Sequence, residues 1–275
     1  MNNFFKRLFS GIGYILLMAG SIVAGQYFYG LLFLVLTFLT LHEFYRFFPE
    51  PAYSVQKFSG IITGSLIFIL SYLCFSGMLN PAFFTLIIPA VLFICIAGLY
   101  RTRDNTLISA ALLIFGWIYI AIPYSISAWL AFPDMNNHIY TPGILLGLLC
   151  LIWLNDTGAY VFGMLFGKHR LFERISPKKS WEGFIGGAVF TVILGYFLNY
   201  FAPVLPRMDW IILSLLVSVF GVFGDLFESL LKRNAGVKDS GSLMPGHGGL
   251  LDRMDSLLFI IPISFTYLKL KTVLP

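Results

Sequence analysis

Apolar stretches long enough to cross a bilayer recur from one end of this 275-residue chain to the other. Nine stand out, at roughly 11–25, 28–47, 59–77, 82–100, 107–131, 143–166, 183–202, 210–231 and 256–270, the first and last being short. About 20 apolar residues in a helix span the roughly 30 Å of hydrocarbon in a membrane. Inside lipid every backbone N–H and C=O needs an internal partner, and the α-helix supplies one within the segment itself. Only 11% of the residues are charged, against about 25% in soluble domains. No polar stretch exceeds about 25 residues, too short for a separate soluble domain. The expected fold is all-α: a polytopic transmembrane helical bundle of about nine spans in a single integral membrane domain, residues 1–275.

The loops orient it. With nine spans and the N-terminus in the cytoplasm, fifteen of the eighteen Lys and Arg residues fall on the inner side, leaving only Arg207, Lys269 and Lys271 outside. Cytoplasmic loops carry such an excess of positive charge. The net charge of +5 then describes a cytoplasmic surface facing anionic lipid heads and nucleotides. No basic helix or aromatic-interleaved module suggests nucleic acid as a partner. The start MNNFFKRLFSGIGYILLMAG has a basic flank and an apolar run but no small-residue cleavage site before a polar region, so it reads as the first span. Cys74, Cys95 and Cys150 lie in apolar runs without partners at ligand spacing and read as small buried hydrophobes.

Against this background the segment Ser229–Asp255, SLLKRNAGVKDSGSLMPGHGGLLDRMD, is an anomaly. Polar residues in a membrane protein are costly and usually functional. The eighth span ends VFGDLFESLLKR, so Asp225, Glu228 and Lys232 share one helix face at i, i+3 and i+7. Two readings stand side by side: a Glu228–Lys232 ion pair that only locks helices, or a face turned into a wet cavity. The run Pro245-Gly246-His247-Gly248-Gly249 can turn sharply and present N–H groups to phosphate. Asp252 and Asp255 follow, sharing a face at i, i+3, which can bring two carboxylates to one metal or to two. Lys232, Arg233, Lys238 and Arg253 can pair with phosphate oxygens. Read blandly, the same loop is a flexible hairpin with solvated charges.

A second group lies upstream. Asp156, in Asn155-Asp156-Thr157-Gly158-Ala159-Tyr160, places a charge inside the sixth span and is expected to line the same cavity. Ser176-Pro177-Lys178-Lys179 reads as a turn carrying cations into the seventh span, or as a simple lipid-head contact. His42 and Glu43 end the second span and read as a snorkelling helix end.

These motifs together resemble the signature of the phosphatidate cytidylyltransferase (CDP-diacylglycerol synthase) family. Ser229, Lys232, Arg233, Lys238, Asp239, Pro245, Gly246, His247, Gly248, Gly249, Asp252, Arg253 and Asp255 fit that pattern over 27 positions without a gap. Asp156–Tyr160 and Ser176–Lys179 also resemble the family, whereas the N-terminal half does so only in hydropathy. Met244 stands where Leu, Ile or Phe is usual, and Met164 where many members carry a basic residue. The resemblance implies transfer of CMP from CTP to phosphatidic acid, giving CDP-diacylglycerol and pyrophosphate in the cytoplasmic membrane of a bacterium. It implies Mg2+ at a site built around Asp225 and Asp252, to which the reading of the residues adds Asp156, Glu228 and Asp255 as candidate ligands, with a second, monovalent cation such as K+ left open, as is a homodimer. Reaction roles would fall on Asp225, Lys232, Lys238, Asp239, His247, Asp252 and Arg253. Substrate contacts would fall on Lys178, Lys179, Ser229, Arg233, Gly246, Gly248 and Gly249. Residues 1–142 would be N-terminal spans and 143–275 the catalytic spans and cytoplasmic loops.

The residue types suit that chemistry. A phosphate monoester has a second pKa of about 6 and is already largely ionised near neutral pH. The difficulty is joining two polyanions, which cations and aligned bases relieve. His247 reads equally as a group that orients pyrophosphate and as a loop anchor. No Gly-x4-Gly-Lys-Ser/Thr run is present, which argues against a P-loop. The competing functions are a related nucleotide-dependent lipid enzyme, such as a polyprenol kinase or another CDP-lipid synthase, and an ion-coupled transporter using Asp156, Asp225 and Glu228 as relays. The transporter has no use for the Lys-Asp…His-Gly-Gly…Asp-Arg run, and no inverted repeat is visible.

Overall fold

The computed structural model describes residues 3–48, 54–99, 106–241, 243 and 248–273. Helices α1 (Asn3–Val23), α2 (Gln26–Arg46) and α3 (Ser54–Phe75) are followed by a 3-10 helix, Pro81–Leu86, that runs into α4 (Ile87–Leu99). Next come α5 (Thr106–Gly116), a π-helical turn (Trp117–Ala121) and α6 (Ile122–Ala131), which together form one span. The remainder is α7 (Gly143–Phe166), strands β1 (Arg170–Phe172) and β2 (Ser176–Ser180), α8 (Trp181–Phe201), α9 (Arg207–Asn234) and α10 (Leu251–Val273).

Among the described residues, seven helical segments are long and apolar enough to cross a membrane. The other two expected spans are shorter apolar helices, Phe9–Val23 and Pro81–Phe93. The protein is thus a polytopic all-α membrane protein with one small hairpin. The hairpin corrects the reading of Ser176–Lys179 as a turn: Ser176–Ser180 is a strand, antiparallel to β1, with Arg170 opposite Ser180 and Phe172 opposite Ser176. Pro177 is tolerated because a two-stranded sheet consists only of edges.

The chain groups into two compact units. The first comprises Met1–Tyr140 and Asp239–Leu251. Its core is aromatic: Tyr29, Phe33, Phe44 and Tyr124 are fully sealed, with Phe33 edge-on to Tyr124 at 5.8 Å. Three buried polar tips of this unit find partners, as burial in an apolar medium favours. Tyr29 and Ser127 hydroxyls lie 2.7 Å apart, Tyr45 donates to the Leu113 carbonyl, and Trp117 Nε1 donates to the Gly60 carbonyl.

The second unit comprises Thr141–Lys238 and Asp252–Pro275. Glycine sets its helix spacing. A Cβ on Gly187 of α8 would lie 2.8 Å from the Asn155 carbonyl oxygen of α7, and one on Gly183 would lie 2.7 Å from that of Ala159. Helices with small residues at the seam approach backbone to backbone. A similar seam joins α9 to α10: a Cβ on Gly224 would lie 2.5 Å from the Asp255 carbonyl oxygen, and Ser256 donates its hydroxyl to Gly221 O at 3.1 Å. At the N-terminal end of α9, buried Asp209 accepts from Tyr267 and pairs with Lys271, both on α10. Asp225 is sixteen residues further on, about 24 Å along the helix.

Candidate active site

The site is built at the C-terminal end of α9 and the N-terminal end of α10. Asp225 and Glu228, three residues apart, project from one face of α9, as their spacing predicts. The Gly224 seam brings Asp255 of α10 against that face. One carboxylate oxygen from each of Asp225, Glu228 and Asp255 lies within 4.8 Å of the others, which makes the trio a candidate cation site. Glu228 is 0% exposed.

Two lysines bracket the acids. Lys232, one turn along α9, pairs with Glu228 and with Asp252 of α10, the latter at 2.5 Å. Lys179, from the end of β2, reaches Asp225 at 2.6 Å. Ser229 donates its hydroxyl to the other oxygen of Asp225 at 3.3 Å. Asp156 on α7 and Arg253 on α10 are exposed and lie within electrostatic range of this group. The second unit therefore gathers Asp156, Lys179, Asp225, Glu228, Ser229, Lys232, Asp252, Arg253 and Asp255 from three helices and the hairpin.

Asp252 and Asp255, expected to share a helix face, meet different partners. Asp255 joins Asp225 and Glu228, while Asp252, in the first turn of α10, is held by the Lys232 ammonium. Lys178, Arg233 and Lys238 are exposed, as is Asp239, which begins the second segment of the first unit. The ion pairs that hold the acids run through Lys179 and Lys232 instead. Gly246 and His247 lie outside the described residues.

The hairpin is anchored at its base. Glu182 accepts from the backbone N–H groups of Lys168 and His169 and lies 2.6 Å from His169 Nδ1. Ser180 caps α8, accepting from the Gly183 N–H. These contacts fix the strand that carries Lys179.

In the first unit, Glu43 is not the snorkelling helix end that its position suggests. It is 4% exposed. Its carboxylate accepts from Leu250 N at 3.0 Å, Leu251 N at 2.7 Å and the Ser240 hydroxyl at 3.2 Å. A buried carboxylate is tolerated when charge-assisted hydrogen bonds of this kind satisfy it. Its neighbour His42 is exposed, as expected of a helix end. A lone acid closing an apolar run was the only sequence signal for Glu43.

Comparison with known proteins agrees with the motifs. Residues 5–271 match the model of the cytidylyltransferase family. The phosphatidate cytidylyltransferase of Staphylococcus haemolyticus (strain JCSC1435) is 49% identical over 115 residues, 41% of this chain and 44% of that protein. Its namesake in Staphylococcus aureus (strain COL) is 50% identical over the same shares, and that of Staphylococcus epidermidis (strain ATCC 12228 / FDA PCI 1200) is 48% identical. Each alignment thus spans less than half the length of the relative. The family match runs over nearly the whole chain, and the chain belongs to the cytidylyltransferase family.

Proposed function

We propose that this protein transfers the cytidylyl group of CTP to phosphatidate, releasing pyrophosphate and forming CDP-diacylglycerol at the cytoplasmic face of a bacterial inner membrane. One observation carries the reading: a carboxylate trio bracketed by two lysines, in a member of the cytidylyltransferase family. In the reaction a phosphate oxygen of the lipid bonds to the α-phosphorus of CTP. The bond from that phosphorus to the bridging oxygen breaks, and pyrophosphate leaves with the electron pair. The lipid phosphate is largely ionised near neutral pH, so no strong general base is called for.

The acids fit Mg2+. Asp225, Glu228 and Asp255 offer only oxygen donors, the set a hard cation takes. Around an octahedral Mg2+ adjacent oxygens stand about 3 Å apart and opposite ones about 4.2 Å, so a trio whose oxygens lie within 4.8 Å of one another would draw together on binding. With Asp252 included, four carboxylates face Lys179 and Lys232, an excess of two negative charges. When bound, such an ion neutralises and aligns phosphate oxygens. Lys179, nearer solvent than Glu228, would exchange its carboxylate partner for a phosphate oxygen, and exposed Arg253 would add a second cation. Ser229 orients Asp225, and Lys232 holds Asp252 and Glu228 together.

The test is purified protein in detergent with phosphatidate, CTP and Mg2+. Labelled cytidine should enter the lipid phase with one pyrophosphate released per transfer. Asp225→Asn and Asp252→Asn should each lower turnover by about 100-fold or more while the protein stays folded. Normal rates in both variants would sink the site assignment.

A further inference from the structure

The Glu43 carboxylate stands among three donors and two glycines, all within the first unit. Ser240, Leu250 and Leu251 donate to it. Gly241 and Gly249 flank it so closely that neither position has room for a side chain. A Cβ on Gly241 would meet Glu43 and nothing nearer, at 2.5 Å from Oε1, and one on Gly249 would lie 2.6 Å from Oε2. Gly248, at φ 86, adopts the left-handed backbone that a side chain disfavours, and it turns the chain into this contact. So the segment entering α10 is closed on one carboxylate from α2, nearly 200 residues earlier in the chain.

The consequence reaches the reacting groups through a single helix. Leu251 is the first residue of α10, and its N–H is one of the orphan donors of a helix start. Glu43 satisfies that donor and adds negative charge where the helix dipole favours it. Asp252 is the next residue, and Asp255 lies one turn on. Where α10 begins, and how firmly, decides the position of both.

We infer that Glu43 is a positioning residue for the reaction, holding the glycine-rich segment and the first turn of α10. This rests on the function proposed above. Glu43 acts by fixing the start of the helix whose backbone carries Asp252 and Asp255.

Four variants test this in the detergent assay: Glu43→Gln, Glu43→Ala, Gly241→Ala and the double variant Glu43→Ala/Gly241→Ala. Glu43→Gln keeps the shape and loses the charge. It should lower kcat/KM for CTP about ten-fold or more and speed amide exchange at Leu250 and Leu251, while the melting temperature of the whole protein moves little. Gly241→Ala alone should show the same two defects, because its Cβ displaces the carboxylate. In the Glu43→Ala background the three atoms nearest the added Cβ are gone, so the double variant should be no worse than Glu43→Ala. Unchanged kcat/KM in Glu43→Gln overturns the inference. So does lost activity with undisturbed exchange at Leu250 and Leu251, or a double variant showing the two defects added together. A wild-type protein inactive in the same assay removes the proposed function and this inference with it. An active wild type with an unaffected Glu43→Gln removes the inference alone.

Discussion

Lys232→Met isolates the electrostatics of the site from its chemistry. The Lys232 ammonium contacts two acids, and all three groups are withdrawn from water: its own side chain is 13% exposed, that of Asp252 is 9%, and Glu228 is sealed. Methionine keeps most of the volume and removes the charge. Two carboxylates then lose their nearest cation, with Asp255 close by to repel Glu228. Removing one partner of a buried ion pair costs about 3–5 kcal/mol, because the charge left behind stays uncompensated. Burial this complete leaves little solvent screening to reduce the figure. At roughly 2–4 °C per kcal/mol for a chain of this size, the melting temperature should fall on the order of 10 °C. The assay is thermal unfolding in detergent with a chelator, so that no added metal takes the place of the ammonium. Glu228→Gln combined with Lys232→Met removes one of the two stranded carboxylate charges and should recover part of the loss, Asp252 still lacking its cation. A single variant melting within ~2 °C of wild type, or a double variant melting no higher than the single, would refute the reasoning.

Other perturbations separate stability from activity. Asp209→Asn removes the buried charge shared by Tyr267 and Lys271. It should cost about 1–3 kcal/mol in the same unfolding assay, and kcat/KM for CTP should stay within about two-fold because the site is some 24 Å away along α9. Gly187→Leu forces a side chain against the Asn155 carbonyl. It should cost about 1–3 kcal/mol or more as an overpacked seam and lower turnover as well, because α7 cannot shift without moving Asp156. Gly187→Ala should show both effects more weakly.

The spans were legible because their hydropathy needs no tertiary information: an apolar run in lipid is a helix wherever it packs. The breaks inside them were not. The Asn80–Pro81 start of a 3-10 helix and the π-helical turn at Trp117–Ala121 come from local geometry that hydropathy does not register. Within the site, Asp225, Glu228 and Lys232 were legible as one face because helical periodicity alone sets their relation. That Asp255 completes the trio and Asp252 does not depends on the register between α9 and α10, which the contact at Gly224 fixes. Lys179 was placed among the cations, but its strand needed a three-residue partner that shows no alternating pattern. Glu43 was beyond sequence reasoning for a simpler cause: its partners lie 197 to 208 residues away.

The pairing of Glu228 with Lys232 within one helix also bears on the order in which the chain is made. A carboxylate entering lipid without a counter-ion is expensive. Here the counter-ion is four residues downstream on the same helix, so the pair forms as soon as α9 coils, before α10 has been synthesised. The helix that carries this sealed acid can therefore be handed to the bilayer with that charge already matched. When Asp252 and Asp255 arrive later on α10, the ammonium that receives Asp252 is already in place.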